Sequence, residues 1–140
     1  MNESKRSSSA SVRPRGETGT IVFRFARPTV VDLVWTGYIT EASCGHYPEQ
    51  LDRLLANRRL TYAIFDALGV TGFSADSRVP GGRLLAVCKN AGARRVMVVT
   101  DSSAIRMIGS TVALATGMSI RFFASRAEAF DAIEQHERGN

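Results

Sequence analysis

Several side chains in this sequence are of types that do chemistry, and their spacing narrows what that chemistry is. Cys44-Gly45-His46 sets a thiol beside an imidazole. A nucleophilic cysteine needs a base held within reach and oriented by a third group, which adjacency in sequence does not provide. The other histidine, His136, stands near the C-terminus, so neither a catalytic pair nor a metal-ligand set is apparent. Gly69-x-x-Gly72 and Gly81-Gly82 are not followed by the Gly-Lys-Ser/Thr that completes a phosphate-cradling loop. More suggestive is Asp66, which ends the apolar run Thr61-Tyr62-Ala63-Ile64-Phe65 and is followed by Thr71, Ser74, Ser77 and Arg78. A second apolar run, Val96-Met97-Val98-Val99, is followed by Asp101-Ser102-Ser103 and Arg106. Serines at helix starts cap backbone N–H groups, hold anions or accept phosphate. A carboxylate at a strand end serves as an acceptor for turn N–H groups.

These groups need elements to position them. Ile21–Phe25 and Val30–Trp35 read as strands joined by the turn Arg27-Pro28-Thr29, hence an antiparallel hairpin closed by Thr36-Gly37. Tyr38 and Ile39 begin the link to a helix. Residues 41–46 read as a loop or a helical turn. Pro48 then suits the first helical position, and Tyr47, Leu51, Leu54 and Leu55 share one face of a helix ending near Asn57. The strand at 61–66 passes through a turn-rich link to a segment that Ser74 is expected to cap. Pro80-Gly81-Gly82 opposes an unbroken helix there, so a kink or short turn is expected at 79–82, with the helix proper from Arg83 to Ala91. The strand at 95–100 leads to a helix capped by Ser102 and ended by Gly117; the strand at 119–123 leads to a helix capped by Ser125 with Glu128 in capping-box position. The order β-β-α-β-α-β-α-β-α specifies an α/β fold with a mixed, mostly parallel central sheet of about five strands and four helices. Each of the two serine clusters then falls at the carboxyl edge of that sheet, where open α/β folds place their sites. An anion site between Ser74, Ser77, Arg78, Ser102, Ser103 and Arg106 is one expectation.

Composition fits one folded domain. The chain has 140 residues, 44% of them apolar, which is enough for a core. Residues 1–19 are polar, basic and serine-rich, and are expected to be a disordered tail, with the domain spanning 20–137. The net charge of +5 comes from scattered arginines without a clustered basic face, so nucleic acid is not an expected partner. No apolar run is long enough for a membrane span and no signal peptide is evident, which predicts a cytoplasmic protein with two free thiols.

The element order and the 61–74 stretch resemble the STAS domain, the fold of bacterial anti-sigma-factor antagonists and of sulfate-transporter tails. Asp66 takes the family's strand-end acid, Val70 its valine and Phe73 its later apolar position; Arg94-Arg95 and the Glu128-Ala129-Phe130 helix are similar too. The resemblance implies a non-catalytic regulatory domain without a cofactor. It would dock a protein partner, a regulatory kinase or an anti-sigma factor, and could also self-associate. It implies docking or phosphorylation at the edge carrying Asp66, Thr71, Ser74, Ser77 and Arg78. The residue matching the family's phospho-acceptor is Ala75, however, which leaves Ser74 and Ser77 as substitutes. The alternative is a carrier of a small lipid or nucleotide at the same edge. A response-regulator receiver, which Asp66 and Thr100 resemble, would need an acid pair after its first strand and a late lysine that Trp35-Thr36-Gly37 and Ala124-Ser125-Arg126 do not supply.

Overall fold

A computed structural model of the protein describes residues 17–139. Residues 1–16 of the expected tail lie outside the described residues; residues 17–19, grouped with it by composition, instead run beside the second strand. There the Tyr38 amide donates to the Glu17 carbonyl at 2.9 Å, and Thr18 bridges Tyr38.

The strands are β1 (Thr20–Arg27), β2 (Val30–Ile39), β3 (Tyr62–Phe73), β4 (Arg95–Val99) and β5 (Ile120–Phe123). The helices are α1 (Glu41–Cys44), α2 (Tyr47–Leu54), α3 (Arg78–Asn90), α4 (Ser103–Thr116) and α5 (Arg126–Gly139), with a short 3₁₀ turn at Ala75–Ser77. The sheet order follows the chain, β1-β2-β3-β4-β5, with β1–β2 antiparallel and the other pairs parallel. This is the expected α/β architecture, with the first helical element divided into α1 and α2.

Sequential order has a geometric consequence. When parallel strands are added one after another with crossovers of one hand, the connecting helices all fall on one face of the sheet. Leu51 of α2, Leu84, Leu85 and Cys88 of α3 and Val112 of α4 accordingly share one core cluster with Val31, Leu33 and Phe65. The opposite face is left to α5, whose Ala129 and Ile133 pack on Val30, Tyr62, Ile64, Met97 and Val99. The first half of β3 is therefore buried on both sides, as its unbroken apolar run requires.

Two local expectations are corrected. β3 does not turn after Asp66 but continues to Phe73 beside β2, which itself runs on to Ile39 rather than ending at Gly37. Register slips between Val34/Thr36 and between Gly37/Tyr38 mark bulges, each absorbing one extra β3 residue. The glycines that read as turn signals serve these bulges: a Cβ at Gly69 would lie 2.8 Å from Thr36 Cγ2, and Gly37 sits at φ +82°. Likewise, α3 is continuous through Pro80-Gly81-Gly82. The irregular turn comes earlier, at 75–77, which puts Pro80 in the first helical turn, where its missing N–H leaves no intrahelical bond unmade.

Candidate functional site

The sequence-predicted residues divide between two faces. Asp66 points toward α5, where its Oδ2 accepts from Arg126 Nη1 at 3.0 Å and its Oδ1 accepts from the Leu68 amide at 3.1 Å. The second bond is the turn-stabilising role expected of the residue, here at a bulge. Beside it lies Asp32, wholly buried in β2. Arg126 grips Asp32 bidentately, Nη2 to Oδ2 at 2.6 Å and Nη1 to Oδ1 at 3.1 Å, and Arg24 Nε adds a third contact at 3.0 Å. Two carboxylates and two guanidiniums thus close the end of the α5 face. The hydrogen bond to Asp32 raises the Arg126 pKa above its ordinary value, burial opposes that rise, and Asp66 adds to it. Sequence reasoning missed Asp32, Arg126 and Arg24. The one signal was a lone carboxylate inside the otherwise apolar Val30-Val31-Asp32-Leu33-Val34, which has to find a cation or a hydrogen-bond donor when buried.

Ser74, Ser77, Arg78 and Thr71 gather at the far end of the long β2–β3 ribbon. Ser74 makes no cap bond. Its hydroxyl donates to Asp76 Oδ1 and to the Ile39 carbonyl, at 3.4 Å in the second case. Asp76 Oδ1 also accepts from the Glu41 amide at 3.2 Å, so a serine–carboxylate link joins the ribbon's end to the start of α1. The Ser74 bond, and then the Glu41 amide, hold the Asp76 carboxyl below its usual range. Asp76 brings negative charge to this turn, whose serine hydroxyl it already engages. Ser77 is buried, whereas Thr71 and Arg78 are exposed, as are Val79 in the first turn of α3 and Leu68 earlier on β3.

Ser102 is the expected cap, its Oγ accepting from the Ile105 amide at 3.2 Å; Ser103 is exposed, and Arg106 lies over the Phe122 ring at 5.8 Å. Ser125 accepts from the Glu128 amide at 3.2 Å while Glu128 reaches back to the Ala124 amide, one residue short of the expected capping box. Cys44 is fully buried and His46 exposed against the Tyr47 ring, so the pair faces apart from any shared site. His136 sits in α5, where its Nδ1 meets the Tyr62 hydroxyl.

On the other face, a cavity of about 110 Å³ lies between the sheet, α3 and α4, lined by Trp35, Phe65, Phe73, Leu85, Ile108 and Val112 among others. Ser77 and Arg78 border it as well. Trp35 Nε1 is buried without an acceptor, the one such side-chain group among the described residues.

No protein-family model and no curated protein sequence matches this chain. Solved structures do match its fold. The anti-sigma factor antagonist SpoIIAA in its unphosphorylated form aligns with a TM-score of 0.62 at 12% identity over 82% of this chain and 98% of that one. An uncharacterized protein with a SpoIIAA-like fold from Shewanella loihica gives 0.59 at 15% identity over 81% and 91%. An anti-sigma factor antagonist from Mycobacterium paratuberculosis gives 0.56 at 12% over 83% and 94%. The chain has the SpoIIAA-like fold of the STAS type, as the resemblance in its sequence implied. No helix among the described residues is long and apolar enough to cross a membrane.

Proposed function

We propose that the protein is a non-catalytic regulatory domain that docks a protein partner, of the anti-sigma-factor or regulatory-kinase class, at the tip of the β2–β3 ribbon. The observation that carries this is the exposure of two apolar side chains along this edge, Leu68 on β3 at 44% and Val79 in the first turn of α3 at 41%, with Thr71, Ser74 and Arg78 between them in sequence. Apolar side chains rimmed by polar ones on a projecting edge suit a protein contact. The fold likeness to antagonists of anti-sigma factors, one of them also solved in a phosphorylated form, supports the same class of partner. Asp66 takes no part in this docking, because its carboxylate is held by Arg126 on the other face.

Ser74 is the switch residue in this proposal. A phosphate there would stand against the Asp76 carboxylate and break the link to Glu41, loosening the tip through like-charge repulsion. The test is titration calorimetry of the full chain against the anti-sigma factors and regulatory kinases of its own genome, followed by intact-mass analysis after incubation with ATP. Binding by one of them that a Leu68→Glu, Val79→Glu double variant loses, with its circular dichroism unchanged, supports the docking face. Equal binding by the double variant removes that face. A gain of one phosphate mapped to Ser74 supports the switch, and phosphate elsewhere removes Ser74 from it.

A further inference from the structure

α4 lacks the charged outer face that a surface helix ordinarily carries. Arg106 is the only charged residue in its 14. Ile105, Ile108 and Val112 pack toward the sheet, yet Met107 and Leu114 stand 71% and 87% exposed, the most exposed large apolar side chains among the described residues. Ala104 and Thr111 are exposed as well. Ala104, Met107, Thr111 and Leu114 follow the 3-4-3 spacing of a coiled-coil seam, which makes one stripe along a helix about 21 Å long. Scattered apolar residues on a surface need no explanation, but a continuous stripe marks a contact.

Three features fit this stripe to a second copy of itself. Its spacing reads the same in both directions, so an antiparallel copy related by a two-fold axis meets it in register. Leu114 then falls against Ala104 of the other copy and Met107 against Thr111, each pairing a large side chain with a smaller one, as knobs entering holes require. Covering Thr111 strands no polar group, because its hydroxyl already donates to the Met107 carbonyl of its own helix at 3.1 Å. Charge fits as well. Arg106 lies off the stripe, over the Phe122 ring, and α4 has no acidic residue in its first turn. The carbonyl end of an antiparallel copy brings to that turn the partial negative charge it attracts. We infer that the protein forms a two-fold homodimer through α4, the two helices antiparallel, with Leu114 packed on Ala104 and Met107 on Thr111 across the axis.

A stripe one helix wide is smaller than the ~800 Å² that each partner gives to an interface of standard size, so the dimer is weak and depends on concentration. The experiment is analytical ultracentrifugation of the full chain from roughly 10 µM to 1 mM, where small interfaces associate. The wild type is expected to pass from monomer to dimer within that range. Leu114→Lys, at a side chain too exposed for the fold to depend on it, is expected to weaken the dimer by tenfold or more. Adding Ala104→Glu to Leu114→Lys tests the register. In the antiparallel pair each new carboxylate faces a new ammonium of the other copy, whereas a parallel pair sets like against like; within one helix the two positions are about 15 Å apart. The double variant is expected to associate about fivefold more tightly than Leu114→Lys alone, as two exposed ion pairs allow, and to lose that gain in high salt. A wild type that stays monomeric at the top of the range overturns the proposal and leaves the stripe to a partner of another kind. So does a dimer that survives Leu114→Lys, or a double variant that associates no more tightly than Leu114→Lys alone.

Discussion

The two faces of the sheet solve the same covering problem in different ways. One is closed by a single helix, α5, packed through Ala129 and Ile133 and locked at its start by Arg126 on Asp32 and Asp66. The other is spread under α1 to α4 and holds most of the apolar core, yet leaves a half-open, unfilled pocket. Area of apolar cover and tightness of closure are therefore separate properties. The face with fewer helices is the more constrained because a charge network fixes where its helix begins, whereas among the described residues α4 makes no ion pair with the strands beneath it and meets them through apolar contacts and the Arg106–Phe122 contact.

Removing the lock should have the largest effect. Arg126→Met leaves the wholly buried Asp32 with only Arg24, and is expected to cost about 3–5 kcal/mol in chemical denaturation. Adding Asp32→Asn should recover part of that loss; a cost below about 1 kcal/mol would mean the network does not set the closure of this face. Next, Ile133→Ala should cost about 2–5 kcal/mol, while Ile108→Ala, at a half-buried position already beside empty space, should cost about 1 kcal/mol. Equal losses would erase the contrast in packing.

A smaller effect concerns Cys88, in α3. Burial pushes its thiol from an ordinary 9.0 up to about 12, so the folded chain keeps a proton that the unfolded chain releases. Its stabilising contribution is complete below pH 9 and is lost as pH rises toward 12. The wild type should lose about 1 kcal/mol more than Cys88→Ala between pH 8 and pH 10, and Cys88 should resist Ellman's reagent at pH 8 until denaturant is added. Least in size and opposite in sign, Gly81→Ala should stabilise the protein by about 0.5–1 kcal/mol, since the added methyl enters open space in a helix. A loss of stability there would show that the cavity wall has no room to give.

The strands were legible because β-branched and aromatic runs such as Val30–Trp35 and Val96–Val99 have few other ways to be buried. The continuation of β3 was hidden by Leu68-Gly69-Val70-Thr71-Gly72, where glycines demanded by bulges read as glycines demanded by a turn. Pro80-Gly81-Gly82 misled in a similar way: the helix began five residues before the expected Arg83, and proline at its first turn carries no penalty. At the site, Asp66 could be found from its place after an apolar run. Its partner could not, because Arg126 lies 60 residues away in sequence and pairing at that distance leaves no local pattern. The open space under α4 was invisible for the same reason, since a cavity belongs to surfaces that meet only in three dimensions.

Strand order that repeats chain order also bears on how the protein is made. Each parallel strand joins its immediate predecessor across one short crossover, so the sheet can grow from the N-terminal hairpin outward as the chain emerges. Only α5 must double back to early partners: Arg126 reaches Asp32 across 94 residues and Arg27 reaches Glu134 across 107. During synthesis the carboxylate of Asp32 waits with Arg24 alone until α5 has been translated, which makes the last helix the step that commits a growing sheet to its finished form.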